Sequence, residues 1–201
     1  MIIIISILGA VLYCLIGIFS GIIYIYVNKC KKMTLFYNGH QVSYYIAKKS
    51  PPFFVLGAGK FQKIIVSEYA SKYFNEKSFA SLLFHEQGHV INQYTFTKSI
   101  YNAIIFSVFY FISAIFTSWF TPIFIFIIYK LALMARSFLI GDLQHKNEYS
   151  ADIYSAKIMK SNGDLDFFIK ALMELSYLRE SESHPNINKR LKNIYEAIKN
   201  K

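Results

Sequence analysis

Two histidines and a glutamate lie close together in the segment HEQGH, where His85, Glu86 and His89 separate two strongly apolar parts of the chain. Residues four apart share one face of a helix, so both imidazoles can bind one Zn²⁺. Zinc lowers the pKa of a bound water towards about 7, and Glu86 can accept its proton as the water attacks a carbonyl. The segment predicts a hydrolase, and the alternative is an amphipathic helix with histidines on its polar face.

A catalytic zinc ion needs a third protein ligand and an open fourth position. Cys14 and Cys30 are excluded by their number and place, and the candidate is Glu148 in NEYSADIYSAK. Asp152 follows four residues later, so the two carboxylates share a helical face. One can bind the metal while the other accepts a hydrogen bond from a ligand histidine and fixes its tautomer. The alternative is a solvated acidic face.

The composition is typical of a membrane protein. The 201 residues are 54% hydrophobic and 18% aromatic, with a mean hydropathy of +0.32, which is too apolar for an ordinary soluble domain. The net charge is +10, and all 22 lysines and arginines fall in 29–98 and 130–201. This distribution favours membrane orientation over nucleic-acid binding, so we expect lipid and no nucleic acid as a partner.

Residues 1–28 are predicted to form an N-terminal transmembrane anchor. The first 27 residues carry no charged side chain and are long enough to span a bilayer with some tilt. They lack the basic start and small-residue cleavage site of a signal peptide, so we expect them to be retained. The following NKCKK places the polar part in the cytoplasm by the positive-inside rule.

A second apolar block, 99–140, is predicted to be a transmembrane helical hairpin. Its uncharged part, 99–129, would be about 46 Å long as one helix, against roughly 30 Å of hydrocarbon. The segment TSWFTP at 117–122 is typical of an interfacial break. Lys130 and Arg136 fall in the second arm, where they would snorkel or face protein. The alternative is a long buried hairpin that does not cross.

The remaining segments complete a mainly α integral membrane protein with a small β-sheet. Segments 41–47 and 61–67 are β-like, and the prolines before Phe53–Leu56 favour a short edge strand there. A helix is expected from Asn75 through His89, and three helices within 141–201. The hairpin interrupts the remaining part of the chain, 29–201, which we expect to form one domain.

Three ordered motifs make the chain resemble the membrane zinc metalloproteases that include bacterial HtpX and the zinc-dependent CAAX prenyl proteases. Those proteins carry H-E-x-x-H, then E-x-x-A-D, then H-P-x-x-x-x-R. The matching residues in this chain are His85, Glu86 and His89; Glu148, Ala151 and Asp152; and His184, Pro185 and Arg190. The resemblance extends from about residue 50 to the C-terminus. It implies a zincin-like catalytic helix pair in a zinc metalloprotease domain at 29–201.

The resemblance implies roles for residues outside the metal site. His184 would stabilise the oxyanion during hydrolysis, the alternative being a loop histidine before a proline. Arg190 would order the site by pairing with a carboxylate, the alternative being a solvated helical charge. An extended substrate could add as a strand to Phe53, Phe54, Val55 and Leu56, the alternative being an internal sheet edge.

The resemblance also implies a function and its limits. HtpX-like proteins have two spans before the catalytic helix where this chain has one, and the prenyl proteases enclose a chamber too large for 201 residues. We therefore expect an endopeptidase with one zinc per chain that cuts membrane or membrane-proximal polypeptides at the cytoplasmic face of a bacterial inner membrane. The alternatives are a non-catalytic or signalling membrane zinc protein of the β-lactam-sensor type, and a small DNA- or lipid-binding membrane protein.

Overall fold

A computed structural model of the chain describes residues 2–116, 122–178 and 185–199. The described residues are mainly helical, with one small sheet. The helices are α1 (Ile2–Val27), α2 (Glu68–Tyr73), α3 (Glu76–Ile91), α4 (Tyr94–Phe116), α5 (Pro122–Ser161), α6 (Leu165–Leu178) and α7 (Ile187–Lys199). The strands are β1 (Lys31–Tyr37), β2 (His40–Ala47), β3 (Phe53–Leu56) and β4 (Lys63–Ser67).

The four strands form one mixed sheet in the order β1-β2-β4-β3. β2 and β4 are parallel, whereas the other two pairs are antiparallel. The expected edge strand is confirmed, because β3 lies at the end of the strand order, next to β4. β1 was not expected from the sequence. It pairs with β2 through a tight turn in which Asn38 and Gly39 both have positive φ, the conformation that an Asn-Gly hairpin turn requires.

The predicted start of the HEQGH helix is also confirmed. Asn75 caps α3, since its side-chain oxygen accepts a hydrogen bond of 2.9 Å from the Ser78 N–H, which satisfies one of the free donors at a helix start. The helix continues past His89 to Ile91. From Ser78 to His89, α3 is buried on nearly all sides, where it packs against the sheet, α5 and α6. The largest fully buried side chains of the core are Phe53, Phe84, Phe168, Ile65, Leu82, Leu83, Met159 and Leu172.

The long helix α5 corrects one expectation about the C-terminal part. The second arm of the apolar block and the helix that carries Glu148 are one continuous helix of 40 residues, Pro122–Ser161, and not two separate elements. The expected break at 117–122 lies almost wholly outside the described residues, since α4 ends at Phe116 and α5 begins at Pro122. Within the described residues, no helix combines the length and the apolar character needed to cross a membrane.

The C-terminal half of α1 packs against the loop that follows β3. A Cβ added at Gly21 would lie 2.6 Å from the carbonyl oxygen of Leu56, so only glycine fits there. The hydroxyl of Ser20 accepts a hydrogen bond of 3.0 Å from the Gly57 N–H. The apolar N-terminal helix is thus fixed to the end of the edge strand.

Candidate metal centre

Two helices bring three potential metal ligands together. His85 and His89 lie one turn apart on α3, and their Nε2 atoms are 3.1 Å from each other. Glu148 on α5 faces them, with Oε2 3.7 Å from His85 Nε2 and Oε1 3.5 Å from His89 Nε2. All three side chains are buried, and their ligand atoms lie within 4.8 Å of one another. The predicted i, i+4 pair and the predicted carboxylate therefore meet in one buried cluster.

Small residues allow the two helices to cross this closely. A Cβ added at Gly88 would lie 2.8 Å from the Cα of Ala151 and 3.1 Å from its Cβ. Gly88 stands next to His89, and Ala151 lies one turn after Asn147 and Glu148 on α5. The sequence HEQGH thus contains both the ligands and the glycine that lets the opposing helix reach them.

A buried ion pair fixes the orientation of the first histidine. Asp152 Oδ1 lies 2.9 Å from His85 Nδ1, so the other ring nitrogen, Nε2, faces Glu148. The carboxylate also accepts two hydrogen bonds from Arg190 on α7, of 2.8 Å from Nε and 2.6 Å from Nη2. Arg190 Nη2 also lies 3.4 Å from Glu148 Oε2. Asp152, which was predicted to hold a ligand histidine, therefore contacts His85. Arg190, which was predicted to pair with a carboxylate, contacts Asp152.

The carboxylate of Asp152 and the guanidinium of Arg190 stay charged in spite of their burial. Burial would raise the pKa of Asp152, but the charge and hydrogen bonds of Arg190, together with His85, outweigh it and lower that pKa. Burial would likewise lower the pKa of Arg190, but the charges of Asp152, Glu148 and Glu86 raise it. Both groups are therefore ionised at neutral pH, and each buried charge has an opposite charge beside it.

The two histidines titrate differently. For His85, burial favours the neutral ring, but the hydrogen bond and charge of Asp152 outweigh it, and the pKa is raised. Burial and the neighbouring His85 lower the pKa of His89 to about 4. His89 is therefore neutral at pH 7. Its Nδ1 lies 2.6 Å from the side-chain nitrogen of Asn147, the residue before Glu148.

The arrangement fits a zinc ion. Ligands about 2.0–2.2 Å from a tetrahedral ion lie roughly 3.3 Å apart, close to the 3.1, 3.5 and 3.7 Å separations observed here. Glu86, Glu148 and Asp152 are opposed by the guanidinium of Arg190, and all four groups are buried. A divalent cation held by the two rings and Glu148 would place positive charge beside these carboxylates.

The remaining predicted residues are distributed as follows. Glu86 is buried on α3 between the histidines, near enough to Arg190 to affect its pKa. His184 lies outside the described residues, and the next residue, Pro185, is buried and leads into α7. The side chain of Phe53 is buried in the core and those of Phe54, Val55 and Leu56 are half-buried.

Two residues of the site were missed in the sequence. Gly88 was not singled out in HEQGH, although a glycine inside a helix often has a packing reason, such as the close approach of another chain segment. Asn147 was not singled out. In the sequence, Asn147 lies next to Glu148 and one helical turn before Ala151. A polar residue at this position is expected to be buried together with the ligand.

A solved protein structure has the same fold. The crystal structure of Ste24p from S. mikatae superimposes with a TM-score of 0.53 at 17% sequence identity. The alignment covers 96% of this chain and 56% of that one, so this chain spans little more than half the length of the protein it matches. Comparison with curated protein sequences gave no significant match. The structural likeness establishes the fold, a helical protein with a small mixed sheet.

The family model of peptidase family M48 matches residues 31–198, from the first strand to the last helix. The chain belongs to peptidase family M48. This match confirms the resemblance to membrane zinc metalloproteases that the three motifs indicated. A protease is the function class of the family, and the His85, His89 and Glu148 cluster is compatible with a metal-dependent one.

The close crossing of α3 and α5 can be tested with one methyl group. Gly88→Ala should force the helices apart, because its Cβ would lie 2.8 Å from the Ala151 Cα. We expect the free energy of unfolding to fall by roughly 1–3 kcal/mol, as in overpacked cores, and Zn²⁺ affinity to fall with it. Denaturant unfolding in detergent and competition with a chelating zinc indicator measure the two effects.

Gly141→Ala is the matched control for this substitution. Gly141 lies within α5 and has nothing within 4 Å of an added Cβ, so alanine there should stabilise the helix by roughly 0.5–1 kcal/mol and leave zinc affinity unchanged. The crossing is not a constraint if Gly88→Ala behaves like Gly141→Ala in both measurements.

Proposed function

We propose that the chain is a zinc-dependent endopeptidase that hydrolyses peptide bonds of membrane or membrane-proximal proteins, as HtpX-like proteases do. The observation that carries the proposal is the buried cluster of His85, His89 and Glu148, whose ligand atoms lie within 4.8 Å, with Glu86 beside it. The family match over 31–198 supports proteolysis as the reaction. The chain would bind one zinc ion through these three ligands.

Each residue of the cluster has a task in peptide hydrolysis. A bound zinc ion would supply an activated water at neutral pH and would polarise the carbonyl of the substrate. Glu86 accepts the proton of the attacking water and can pass it to the leaving amine. His85 and His89 contribute nitrogen lone pairs, and Asp152 holds His85 with Nδ1 towards itself. Arg190 keeps Asp152 ionised and so maintains that orientation.

A third histidine is assigned by resemblance to the family motif. His184, in SHPNINKR, would donate a hydrogen bond to the oxyanion that develops on the substrate carbonyl. Two observations support this role: Pro185 is buried, and α7, which begins two residues later, brings Arg190 to the metal cluster.

The edge strand β3 is the proposed binding site for the substrate backbone. An extended polypeptide can pair with the edge strand of a sheet through main-chain hydrogen bonds, which gives affinity without a strict demand on sequence. Phe53, Phe54, Val55 and Leu56 would form this surface. The position of β3 at the end of the sheet supports the assignment, as does its packing on α3, the helix that carries both histidines.

We also propose that the protein lies in the membrane, with the metal centre in the cytoplasm. Apolar side chains one turn apart are exposed along α1, where Leu8, Leu12 and Ile16 are 62, 59 and 54% accessible. A similar stripe follows α4, with Ile104 at 56% and Val108 at 50%. Soluble proteins rarely expose such continuous apolar surface, so lipid is the expected partner. The proposal that 1–28 and the hairpin 99–140 cross the membrane is based on the sequence.

The membrane proposal can be tested in cells. After Cys14 and Cys30 are replaced by serine, Lys72→Cys introduces a single thiol at a side chain that is 73% exposed. We expect the protein to remain in membranes washed with alkaline carbonate, and the thiol to be protected from an impermeant reagent in intact cells. Release by carbonate would contradict insertion, and labelling would contradict the cytoplasmic orientation.

The second candidate function is a membrane zinc protein that signals without catalysis, of the β-lactam-sensor type. Such a protein would need the metal only for its structure, with its coordination closed by protein ligands. A glutamate beside the ligands has no task in that case. Glu86 therefore separates the two functions.

Glu86→Gln distinguishes the protease from the structural alternative. The substitution keeps the shape of the side chain and removes the proton acceptor. We expect one zinc per chain and an unchanged fold, but a loss of peptide hydrolysis of at least the 10²–10³-fold that is roughly typical of a lost oxyanion donor. Metal analysis and cleavage of casein in detergent measure both properties.

Glu76→Gln, in the exposed first turn of the same helix, is the matched control and should leave both properties unchanged. If Glu86→Gln cleaves casein at the wild-type rate, the endopeptidase proposal is wrong and the structural-zinc function replaces it.

A further inference from the structure

The second ligand histidine has a partner that differs in kind from that of the first. His85 faces the carboxylate of Asp152, whereas His89 Nδ1 lies 2.6 Å from the side-chain nitrogen of Asn147. Asn147 is buried, at 7% exposure. Among the described residues, its side-chain oxygen, Oδ1, has no hydrogen-bond partner. A buried amide oxygen without a partner costs free energy and calls for an explanation.

The protonation of the imidazole explains the arrangement. A neutral imidazole carries one N–H and one lone pair. In the geometry observed, the Asn147 amide donates to Nδ1, so the proton of His89 is on Nε2. Metal binding through Nε2 requires the opposite tautomer, with the proton on Nδ1, and that N–H then needs an acceptor.

We propose that Asn147 is a positioning residue for the metal, whose side-chain amide rotates by 180° when Zn²⁺ binds and accepts a hydrogen bond from His89 Nδ1–H. The rotation exchanges nitrogen and oxygen with almost no change in shape. Oδ1 then takes the place of the nitrogen 2.6 Å from the ring. This inference rests on the proposed zinc site and adds a residue that holds the second ligand.

The position of Asn147 in the helix strengthens the inference. Asn147 and Glu148 are consecutive on α5, so the segment that supplies the third ligand also orients the second. An amide can act as donor to the metal-free ring and as acceptor from the metal-bound one, which a carboxylate cannot do without binding a proton. An asparagine also adds no further negative charge to a cluster that already contains Glu86, Glu148 and Asp152.

The experiment measures Zn²⁺ affinity directly, by competition with a chelating indicator. Asn147→Ala removes the acceptor and should weaken zinc binding by about 10–100-fold, as is typical of lost partners of ligand histidines. Asn147→Asp keeps an oxygen in place and should bind zinc within about threefold of wild type or more tightly. The spectrum of Co²⁺-substituted protein should change in the alanine variant and be preserved in the aspartate variant, which loss of packing alone would not produce.

Ser155→Ala is the matched control on the same helix pair. The Ser155 hydroxyl is buried and donates a hydrogen bond of 2.7 Å to the Ser81 carbonyl of α3, and Ser155 is not one of the proposed metal ligands or their partners. Its loss should lower the unfolding temperature without affecting zinc affinity. If Asn147→Ala does not fold, Asn147→Leu replaces it with the same expectation.

The outcomes separate this inference from the function on which it rests. A wild-type chain that binds no zinc would overturn both. A wild-type chain that binds zinc, together with an alanine or leucine variant of equal affinity, would overturn the role of Asn147 alone. Equal losses in the alanine and aspartate variants would also overturn it, since the oxygen acceptor would then not matter.

Discussion

The close crossing of α3 and α5 is the constraint on which the metal cluster depends. Each helix presents its functional side chains at fixed intervals, but the histidines reach Glu148 only because Gly88 lets the backbone of Ala151 approach within 2.8 Å of a would-be Cβ. Wider spacing at this point would move Glu148, Asn147 and the two rings apart together. Glycine makes the helix less stable than alanine would, by roughly 0.5–1 kcal/mol. In return it permits a close approach of the two helices that a larger side chain would exclude.

A buried network of charges then fixes the orientation of what the crossing brings together. Asp152 joins three helices, because its carboxylate contacts His85 on α3 and Arg190 on α7. Removing one partner of such a buried pair leaves an uncompensated charge and is strongly destabilising. The family motif E-x-x-A-D therefore has a physical explanation in this chain: Glu148 faces the histidines, Ala151 permits the crossing, and Asp152 orients the first ring.

Most features that depend on local spacing could be predicted from the sequence, whereas most contacts between distant segments could not. The i, i+4 interval of His85 and His89 determines a shared helical face, and the prolines before Phe53–Leu56 restrict that segment to a sheet edge. The hairpin of β1 and β2 was missed although Asn38-Gly39 is a strong turn signal. We expected separate helices on either side of residue 140, because the sequence changes there from apolar to polar. Such a change does not interrupt the backbone hydrogen bonds of a helix, and α5 is continuous. The place of Asn147 beside Glu148 indicates burial near the ligand, but its contact with His89 depends on how α5 meets α3.

X-ray absorption at the zinc edge tests the central claim, that Zn²⁺ is held by His85, His89 and Glu148, most directly. The purified wild-type chain in detergent should contain one zinc with only nitrogen and oxygen neighbours at about 2.0–2.2 Å and with the outer-shell scattering of two imidazoles. His89→Ala, if it retains metal, should show one imidazole. Sulfur neighbours at about 2.3 Å, or two imidazoles that persist in His89→Ala, would contradict the account.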